Sequence, residues 1–158
     1  MSVRPATLGD LFVCSARARP DEIEQFEALY FRDDYDPEYN AVLLFNSMEK
    51  FCIADEDGSA LVCFGGDEVV PGIWQPWMVG SMEAWEQHWH SITRIVRRHI
   101  NWKLARGARR VQLFALQSRE KTCMWYERGL KMELNGVLPK YGHRGETVVL
   151  YGITNGES

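Results

Sequence analysis

The chain has 158 residues, of which 46% are hydrophobic and 25% charged, and these values suit one folded domain with a buried core. The formal net charge is −4, from 18 Lys and Arg against 22 Asp and Glu, which argues against broad nucleic-acid binding because phosphate contacts need an excess of cations. No apolar run is long enough for a membrane-spanning helix, and the opening MSVRPATLGDL has no signal-peptide core.

The first third of the chain predicts one strand followed by two helices. SVRPAT is a short strand, and LGDLFVCSARA is a helix, because Leu8, Leu11, Phe12 and Ser15 recur at helical spacing. RPDEIEQFEALYF is a clearer helix, because Pro20 stands at its start and acidic residues follow in the first turn. RDDYDPEYN ends it, and AVLLFNS fits either a short helix or a strand.

Three strands are predicted next, and a long helix follows them. KFCIADEDGSALVCFGG contains two apolar runs joined by an Asp/Gly turn, which indicates a hairpin. GIWQPWMVG is the third strand, with Pro76 implying a bulge or an edge position. Residues 82–106 form a helix that ends near Gly107, and its apolar stripe comprises Trp85, Trp89, Ile92, Val96 and Ile100.

The last third predicts a strand, a short helix and two final strands. RRVQLFALQ is the strand, and SREKTCMWYERGL is a helix with Ser118 as N-cap and Gly129 as its stop. KMELNGVLPKYGHRGETVVLYGI contains two strands around a glycine-rich turn. The whole order predicts a single α+β domain over residues 1–158, with one crossover helix between neighbouring strands.

This element order, together with CMWYERGLKMELNGVLPKYGHRGETVVLYGI, resembles the GNAT fold of acetyl-CoA-dependent N-acetyltransferases. WYERGL stands where the family has Tyr-Glu-Lys-Gly-Phe, KYGHRGETVVLYGI stands for the final hairpin, and VRPATLGD resembles the first strand and helix start. The resemblance implies a GNAT-like, mixed, mostly antiparallel sheet with helices on both faces. It also implies an acyl-CoA site between the fourth and fifth strands.

Three other segments resemble small GNAT-like proteins of T7-type tailed phages, which are internal virion or virion-assembly proteins. These segments are RARPDEIEQF, WMVGSMEAW and the final LYGITNGE. The resemblance implies a bacteriophage protein located in the host cytoplasm or the virion. Its expected partners are virion or host proteins, with no nucleic acid and no membrane among them.

The junction between the fourth predicted strand, GIWQPWMVG, and the long helix departs from the GNAT pattern. In that family a Gln/Arg-x-x-Gly-x-Gly/Ala loop binds the cofactor's pyrophosphate through backbone N–H groups at a helix N-terminus. Here Gly80 is the one glycine of the junction, and Glu83 and Glu86 add negative charge that repels a phosphate. We therefore expect a simple corner and no bound cofactor. If acyl-CoA does bind, Val79, Gly80 and Ser81 are the expected contacts.

An alternative at this junction stays open, in which Ser81 and the N–H groups of residues 82–84 hold a single anion. Further along, Arg119 stands for the family's Asn, Thr122 for its Ala and Leu130 for its Phe. Tyr126 matches a tyrosine that serves some GNAT enzymes as general acid, protonating the leaving thiolate. Tyr126 is therefore the candidate catalytic residue, and the other interpretation is an aromatic side chain packed on the sheet.

Histidines, cysteines and acidic residues predict no metal site. His88 and His90 face different sides of the long helix, and His143 lies in a turn where it is either a base or an exposed side chain. The four cysteines form no CxxC pair and are expected to be reduced thiols. The acidic segment RDDYDPEY matches no calcium-loop pattern, so it is a solvated loop or a contact for a cation or an amine.

Two other clusters are candidates for contacts with a partner. Residues 94–110 are basic and either bind an anionic partner or form a solvated helix face. Four tryptophans surround the strand–helix junction, namely Trp74, Trp77, Trp85 and Trp89. Strand alternation places Trp74 and Trp77 on opposite faces, so one of them is expected to be exposed and available to a protein partner.

The sequence thus supports two main functions, with a phage effector that binds a host protein as a third alternative. The first is a degenerate GNAT-fold phage protein that acts by protein binding, in virion assembly or as an internal virion component, and is not an active enzyme. The second is an acetyl-CoA-dependent N-acetyltransferase with an atypical cofactor loop. In the second case an amine attacks the thioester directly and Tyr126 acts as acid.

Overall fold

The computed structural model describes residues 1–30 and 33–156. Within them lie seven strands: β1 (Ser2–Pro5), β2 (Glu49–Ala54), β3 (Ala60–Val70), β4 (Ile73–Gly80), β5 (Arg110–Leu116), β6 (Glu133–Leu138) and β7 (Val148–Thr154). The same part holds five α-helices: α1 (Leu8–Ala16), α2 (Pro20–Tyr30), α3 (Pro37–Phe45), α4 (Met82–Ala105) and α5 (Glu120–Met124). A π-helical segment, Trp125–Gly129, continues α5. The predicted end of the second helix, at Phe31, and the start of the acidic segment, at Arg32, lie outside the described residues.

Side-chain caps fix where three of the helices begin. Thr7 and Asp10 form a capping box at α1, in which each side chain bonds the other residue's backbone N–H. Asp36 caps α3 and precedes Pro37, so AVLLFNS belongs to a helix and not to a strand. Ser81 caps α4 by accepting a hydrogen bond from the backbone N–H of Ala84 at 3.1 Å.

The strands form one sheet in the order β1-β2-β3-β4-β5-β7-β6. All neighbouring pairs are antiparallel except β4 and β5, which run parallel. In the described chain the β4–β5 ladder consists of Ile73 with Arg110 and Trp74 with Val111. Beyond these residues the two strands separate. The gap lies at their C-terminal ends, beside the N-terminus of α4.

Helices cover both faces of the sheet, which confirms the predicted mixed, mostly antiparallel α+β arrangement. On one face, Ile92, Val96 and Ile100 of α4 pack with Trp74 and Val111 of the strands. On the other face, the core is formed by side chains from α1, α3 and the strands, including Leu11, Cys14, Leu44, Cys63 and Trp77. One sheet therefore separates two apolar cores, and each strand residue is assigned to a core by its parity.

The strand tryptophans correct one sequence prediction. Trp74 and Trp77 do face opposite sides, but both are buried, so the expectation that one of them is exposed is wrong. The reason is that helices cover both faces at this position. Of the predicted α4 stripe, Ile92, Val96 and Ile100 are buried, whereas Trp89 is 46% exposed.

The helix that follows β5 also differs from its prediction. Arg119, not Ser118, is the N-cap of α5, and it provides no side-chain cap. The helix then widens into a π-helical segment that ends at Gly129, so the predicted stop is confirmed. Gly107 follows α4 with a φ of 109°, the left-handed conformation expected of a glycine after a helix end.

All four cysteines are free thiols. Cys14, Cys52 and Cys63 are buried, and the sulfurs of Cys14 and Cys63 lie 3.6 Å apart between α1 and β3. Within the described residues, no helix combines the length and the apolarity needed to cross a membrane.

The close approach of β2, β3 and β4 at Gly65 leads to a stability prediction. A Cβ atom at Gly65 would lie 2.0 Å from the carbonyl oxygen of Glu49, a backbone atom that cannot rotate away. We expect Gly65→Ala to lower the free energy of unfolding by about 1–3 kcal/mol. The matched control is Gly136→Ala in β6, where a Cβ atom meets nothing within 4 Å. Urea unfolding of both variants checks this, and equal midpoints would contradict it.

Candidate functional site

A cavity of about 750 Å³ occupies the gap between β4 and β5. It is bounded by α2, by the separated ends of the two strands, by the first turns of α4, by α5 with the π-helical segment, and by Tyr141 of the β6–β7 loop. The cavity therefore reaches from the α4 face of the sheet to the α2 face. Its position follows from the parallel pairing, which ends after two residues and leaves strand edges facing each other across a space.

Helix α2 satisfies the edge of β5 inside this gap. Gln25 accepts a hydrogen bond from the backbone N–H of Leu116 at 3.2 Å and donates one to the carbonyl of Phe114 at 3.4 Å. Arg119 donates to the same Gln25 oxygen at 2.7 Å and to the carboxylate of Asp21 at 2.8 Å. One carboxamide thus replaces the hydrogen bonds that a neighbouring strand would supply.

A buried carboxylate meets the end of β4 in the same way. Glu22 is 4% exposed; its Oε2 accepts from the backbone N–H of Gly80 at 3.3 Å, and its Oε1 accepts from Arg19 at 2.6 Å. Burial raises the pKa of Glu22, and the charge of Arg19 opposes that rise. Ala18 also forms an isolated antiparallel bridge with Ser81. The chain before α2 is therefore attached directly to the β4–α4 junction.

None of the three junction residues proposed for acyl-CoA contact lines the cavity. Val79 is fully buried in the core beneath α1 and α3, and Gly80 bonds Glu22. The hydroxyl of Ser81 accepts a hydrogen bond from the N–H of Ala84, so one of the three N–H groups in the predicted anion site is already bonded. The cavity begins on either side of them, at Met78 in β4 and at Trp85 in α4.

Tyr126 lies in the π-helical segment and lines the cavity with only 5% of its surface exposed. Burial raises the pKa of its phenol to about 12, and the nearby charge of Arg119 works in the opposite direction. The phenol therefore keeps its proton at neutral pH and can donate a hydrogen bond into the cavity. Its ring also packs against Tyr151, with centroids 5.6 Å apart, so both sequence interpretations of Tyr126 describe part of its surroundings.

Two tryptophans connect α4 to the π-helical segment along the cavity wall. The rings of Trp85 and Trp125 meet edge to face with centroids 5.0 Å apart. Arg19 lies 5.0 Å above the Trp85 ring, and the indole N–H of Trp125 donates to Thr93 at 2.8 Å. Gly129 allows this arrangement, since a Cβ atom there would lie 2.6 Å from the Trp125 ring.

Two histidines, His99 and His143, are not among the residues that line the cavity. His99 sits between Phe51 and Phe64 with its Nε2 atom 3.1 Å from Glu49, and burial lowers its pKa. The Nε2 atom of His143 lies 2.8 Å from a carboxylate oxygen of Asp33, in a hydrogen bond between the β6–β7 loop and the acidic segment. Among the described residues, no three His, Cys, Asp or Glu side chains are grouped so that they could hold a metal ion.

The sequence interpretation missed the three polar residues that shape the cavity: Glu22, Gln25 and Arg119. A usable signal exists for two of them. Glu22 and Gln25 stand three residues apart, and Phe26 and Leu29 continue the same side of α2. Polar side chains on the inward face of an amphipathic helix indicate bonds to buried backbone groups. Arg119 was noted only as a departure from the GNAT pattern.

No family model matches this chain, and no curated protein matches it. Solved structures do. A spermidine N-acetyltransferase from Vibrio cholerae in complex with CoA and spermine aligns over 98% of this chain and 95% of its own, with a TM-score of 0.72 and 15% identity. A GNAT superfamily phosphinothricin acetyltransferase from Sinorhizobium meliloti in complex with AcCoA aligns over 97% and 87%, with a TM-score of 0.72 and 15% identity.

A GNAT-family acetyltransferase from Bacillus anthracis aligns over 98% of this chain and 95% of its own, with a TM-score of 0.76 and 9% identity. At such low identities these matches establish the fold, and the GNAT fold is therefore confirmed. None of these three structures is of a phage protein.

The buried carboxylate leads to a pH prediction. Because burial raises the pKa of Glu22 above the unfolded value of about 4.3, the folded state binds more protons in the interval between the two values. The stability that this proton contributes is present below the unfolded pKa and is lost as pH rises through the folded one. We expect Glu22→Gln to gain stability relative to the wild type as pH rises from about 4 through the folded-state pKa of Glu22.

Urea unfolding across this pH interval measures the trend, with Glu86→Gln on the exposed side of α4 as the matched control. A difference between wild type and Glu22→Gln that is constant with pH would contradict the assignment.

Proposed function

We propose that this protein is an acetyl-CoA-dependent N-acyltransferase. The observation that carries the proposal is the gap between β4 and β5, which opens after two residue pairs and encloses about 750 Å³. That volume is within the range of small-molecule sites. A buried carboxylate, Glu22, and a buried phenol, Tyr126, both line it. The similarity to solved acetyltransferase structures supports the same function.

The residues of the cavity fit a CoA thioester in part. Lys121 and Arg128 are exposed cations at the α5 side of the cavity and suit phosphate groups there. The β4–α4 junction is less suitable, because the N–H of Gly80 is bonded to Glu22. When bound, acetyl-CoA supplies a thioester whose C–S bond breaks as the amide C–N bond forms. We therefore place the phosphates at Lys121 and Arg128 and the reacting end near Tyr126.

Glu22 is suited to accept the proton that the amine must lose. Its pKa is raised by burial, which brings a carboxylate closer to the basicity that proton transfer at neutral pH requires. Its bonds to Arg19 and Gly80 hold it in one orientation. Glu22 thus plays the part of general base in this proposal.

Tyr126 is suited to donate a hydrogen bond to the leaving sulfur. Its pKa of about 12 exceeds that of a thiol, about 8.5, so complete proton transfer to the thiolate is uphill by about 5 kcal/mol. Stabilisation of the thiolate by a hydrogen bond from the phenol avoids this cost. The aromatic wall that includes Trp85 and Trp125 keeps water from the thioester.

A second candidate function is favoured by a different observation. The N–H of Gly80 donates to Glu22, and Trp85 contacts Trp125 along the wall of the cavity. Because these groups are already partnered within the protein, the geometry is also consistent with a protein that binds no cofactor. In that case the chain is a degenerate GNAT-fold component of a phage virion or its assembly. It binds virion or host proteins, in the host cytoplasm or the particle, through exposed side chains such as Trp89.

Calorimetric titration with acetyl-CoA and with CoA separates the two functions. We expect binding in the micromolar range for the wild type, and at least tenfold weaker binding when Lys121→Glu and Arg128→Glu are combined, because two cations beside the phosphates are reversed. The control, with the same change in net charge, combines Arg94→Glu and Arg97→Glu on the exposed face of α4. Absence of binding up to millimolar CoA would favour the second candidate.

Removal of the phenol hydroxyl tests the chemistry directly. We expect Tyr126→Phe to lower kcat by about 10²-fold and to leave KM for acetyl-CoA nearly unchanged, because the hydrogen bond to sulfur forms as charge develops. Release of free thiol at saturating amine measures kcat, and thermal unfolding confirms that the variant folds. An unchanged kcat would exclude Tyr126 from the reaction.

A further inference from the structure

The α2 side of the cavity has a distinct composition. On this side of the sheet, aromatic and apolar side chains surround the opening, and we call this group the acceptor pocket: Phe26, Leu29, Tyr30, Phe114 and Tyr141. Phe26 and Tyr30 stack on α2 with centroids 5.8 Å apart. Phe114 and Tyr141 stack with centroids 5.9 Å apart and planes inclined by 8°.

The loop that carries Tyr141 is held against α2. The backbone N–H of His143 donates to the carbonyl of Ala28 at 2.9 Å, and the side chain of Arg144 lies 3.5 Å from Glu27. Tyr141 is 49% exposed, so its ring stands at the mouth of the acceptor pocket. Both stacked pairs line the cavity, and this backbone hydrogen bond connects the loop that carries Tyr141 to the helix that carries Phe26 and Tyr30.

The charges of the cavity disfavour a ligand with several ammonium groups. Among the described residues that line the cavity, Glu22 is the only acid, whereas the cations are Arg19, Arg119, Lys121 and Arg128. Two acids beside the cavity are already paired, Asp21 with Arg119 at 2.8 Å and Glu27 with Arg144 at 3.5 Å. A polyamine would bring several positive charges to a site that offers one carboxylate.

The spacing along α2 sets the size of the ligand. Glu22 and Phe26 are four residues apart on the helix, so their Cβ atoms lie roughly 5–6 Å from each other on the same side. An amine that reaches Glu22 while its ring lies beside Phe26 needs a linker of about two or three carbons at that spacing. The ring would then lie between the two stacked pairs, where edge and face contacts are both available.

We propose that the acceptor substrate is a primary amine joined to an aromatic ring by two or three carbons, and that Phe26 and Tyr141 determine this specificity. The inference rests on the proposed acyltransferase function for its chemistry. The preference for an aromatic amine is inferred from the side chains that line the acceptor pocket. The spermidine N-acetyltransferase of similar fold holds spermine in its complex, and under this proposal the present chain takes a different class of acceptor.

The test compares 2-phenylethylamine, butylamine and spermidine as acceptors at saturating acetyl-CoA, by release of free thiol. We expect kcat/KM for 2-phenylethylamine to exceed that for spermidine by at least tenfold. Tyr141→Ala should lower kcat/KM for 2-phenylethylamine about tenfold and leave butylamine nearly unchanged. The matched control is Phe12→Ala, which removes an aromatic ring that is 41% exposed on α1, outside the cavity.

A calorimetric titration of 2-phenylethylamine, run with and without saturating CoA, separates failure of this inference from failure of the proposed function. Binding that Tyr141→Ala weakens, without acetyl transfer to any amine, would support the acceptor pocket and overturn the acyltransferase. Acetyl transfer with a preference for spermidine would overturn the inference and leave the acyltransferase in place. Absence of both binding and transfer would overturn both.

Discussion

The parallel pairing of β4 and β5 is the constraint on which the rest of the molecule depends. Two parallel strands cannot be joined by a tight turn, so α4 must cross over between them and begin at the end of β4. The pairing ends at Trp74 and Val111, and the strands then separate. The separation creates a cavity at the C-terminal ends of the two strands, where α4 begins. The site is therefore a consequence of topology before any side chain is considered.

Separated strands leave backbone groups that need partners, and α2 supplies them with side chains. Gln25 serves the edge of β5, and Glu22 serves the end of β4. Arg19 and Arg119 in turn hold these two side chains in place. Because an unsatisfied buried backbone group costs about as much as a lost hydrogen bond, these contacts stabilise the open form of the gap. The cavity is an open space whose walls are fixed by polar bonds.

Glu22 bears on both candidate functions, because its bond to Gly80 favours one of them and its burial beside Tyr126 favours the other. Its bond to Gly80 withdraws an N–H from any phosphate at the junction, which favours a protein without a cofactor. Its burial beside Tyr126 also gives the cavity a base and a hydrogen-bond donor, which favours acyl transfer. The exposed cations Lys121 and Arg128 line the cavity elsewhere and suit phosphate groups, so the loss of the Gly80 N–H does not exclude acyl transfer.

The sequence by itself determined most of the elements and their order, since local signals such as the Asp/Gly turn of the β2–β3 hairpin, Gly107 and the α4 stripe at Ile92 act over a few residues. It left AVLLFNS open between a helix and a strand, and the structure decided for the helix α3. The sequence also indicated Tyr126 as a catalytic candidate through the resemblance of WYERGL to the GNAT pattern, and Tyr126 lines the cavity. Tertiary structure alone decided the burial of both strand tryptophans, the exposure of Trp89, and the meeting of Glu22 with Gly80. Those outcomes depend on contacts between residues as many as 58 positions apart, and no local pattern encodes such distances.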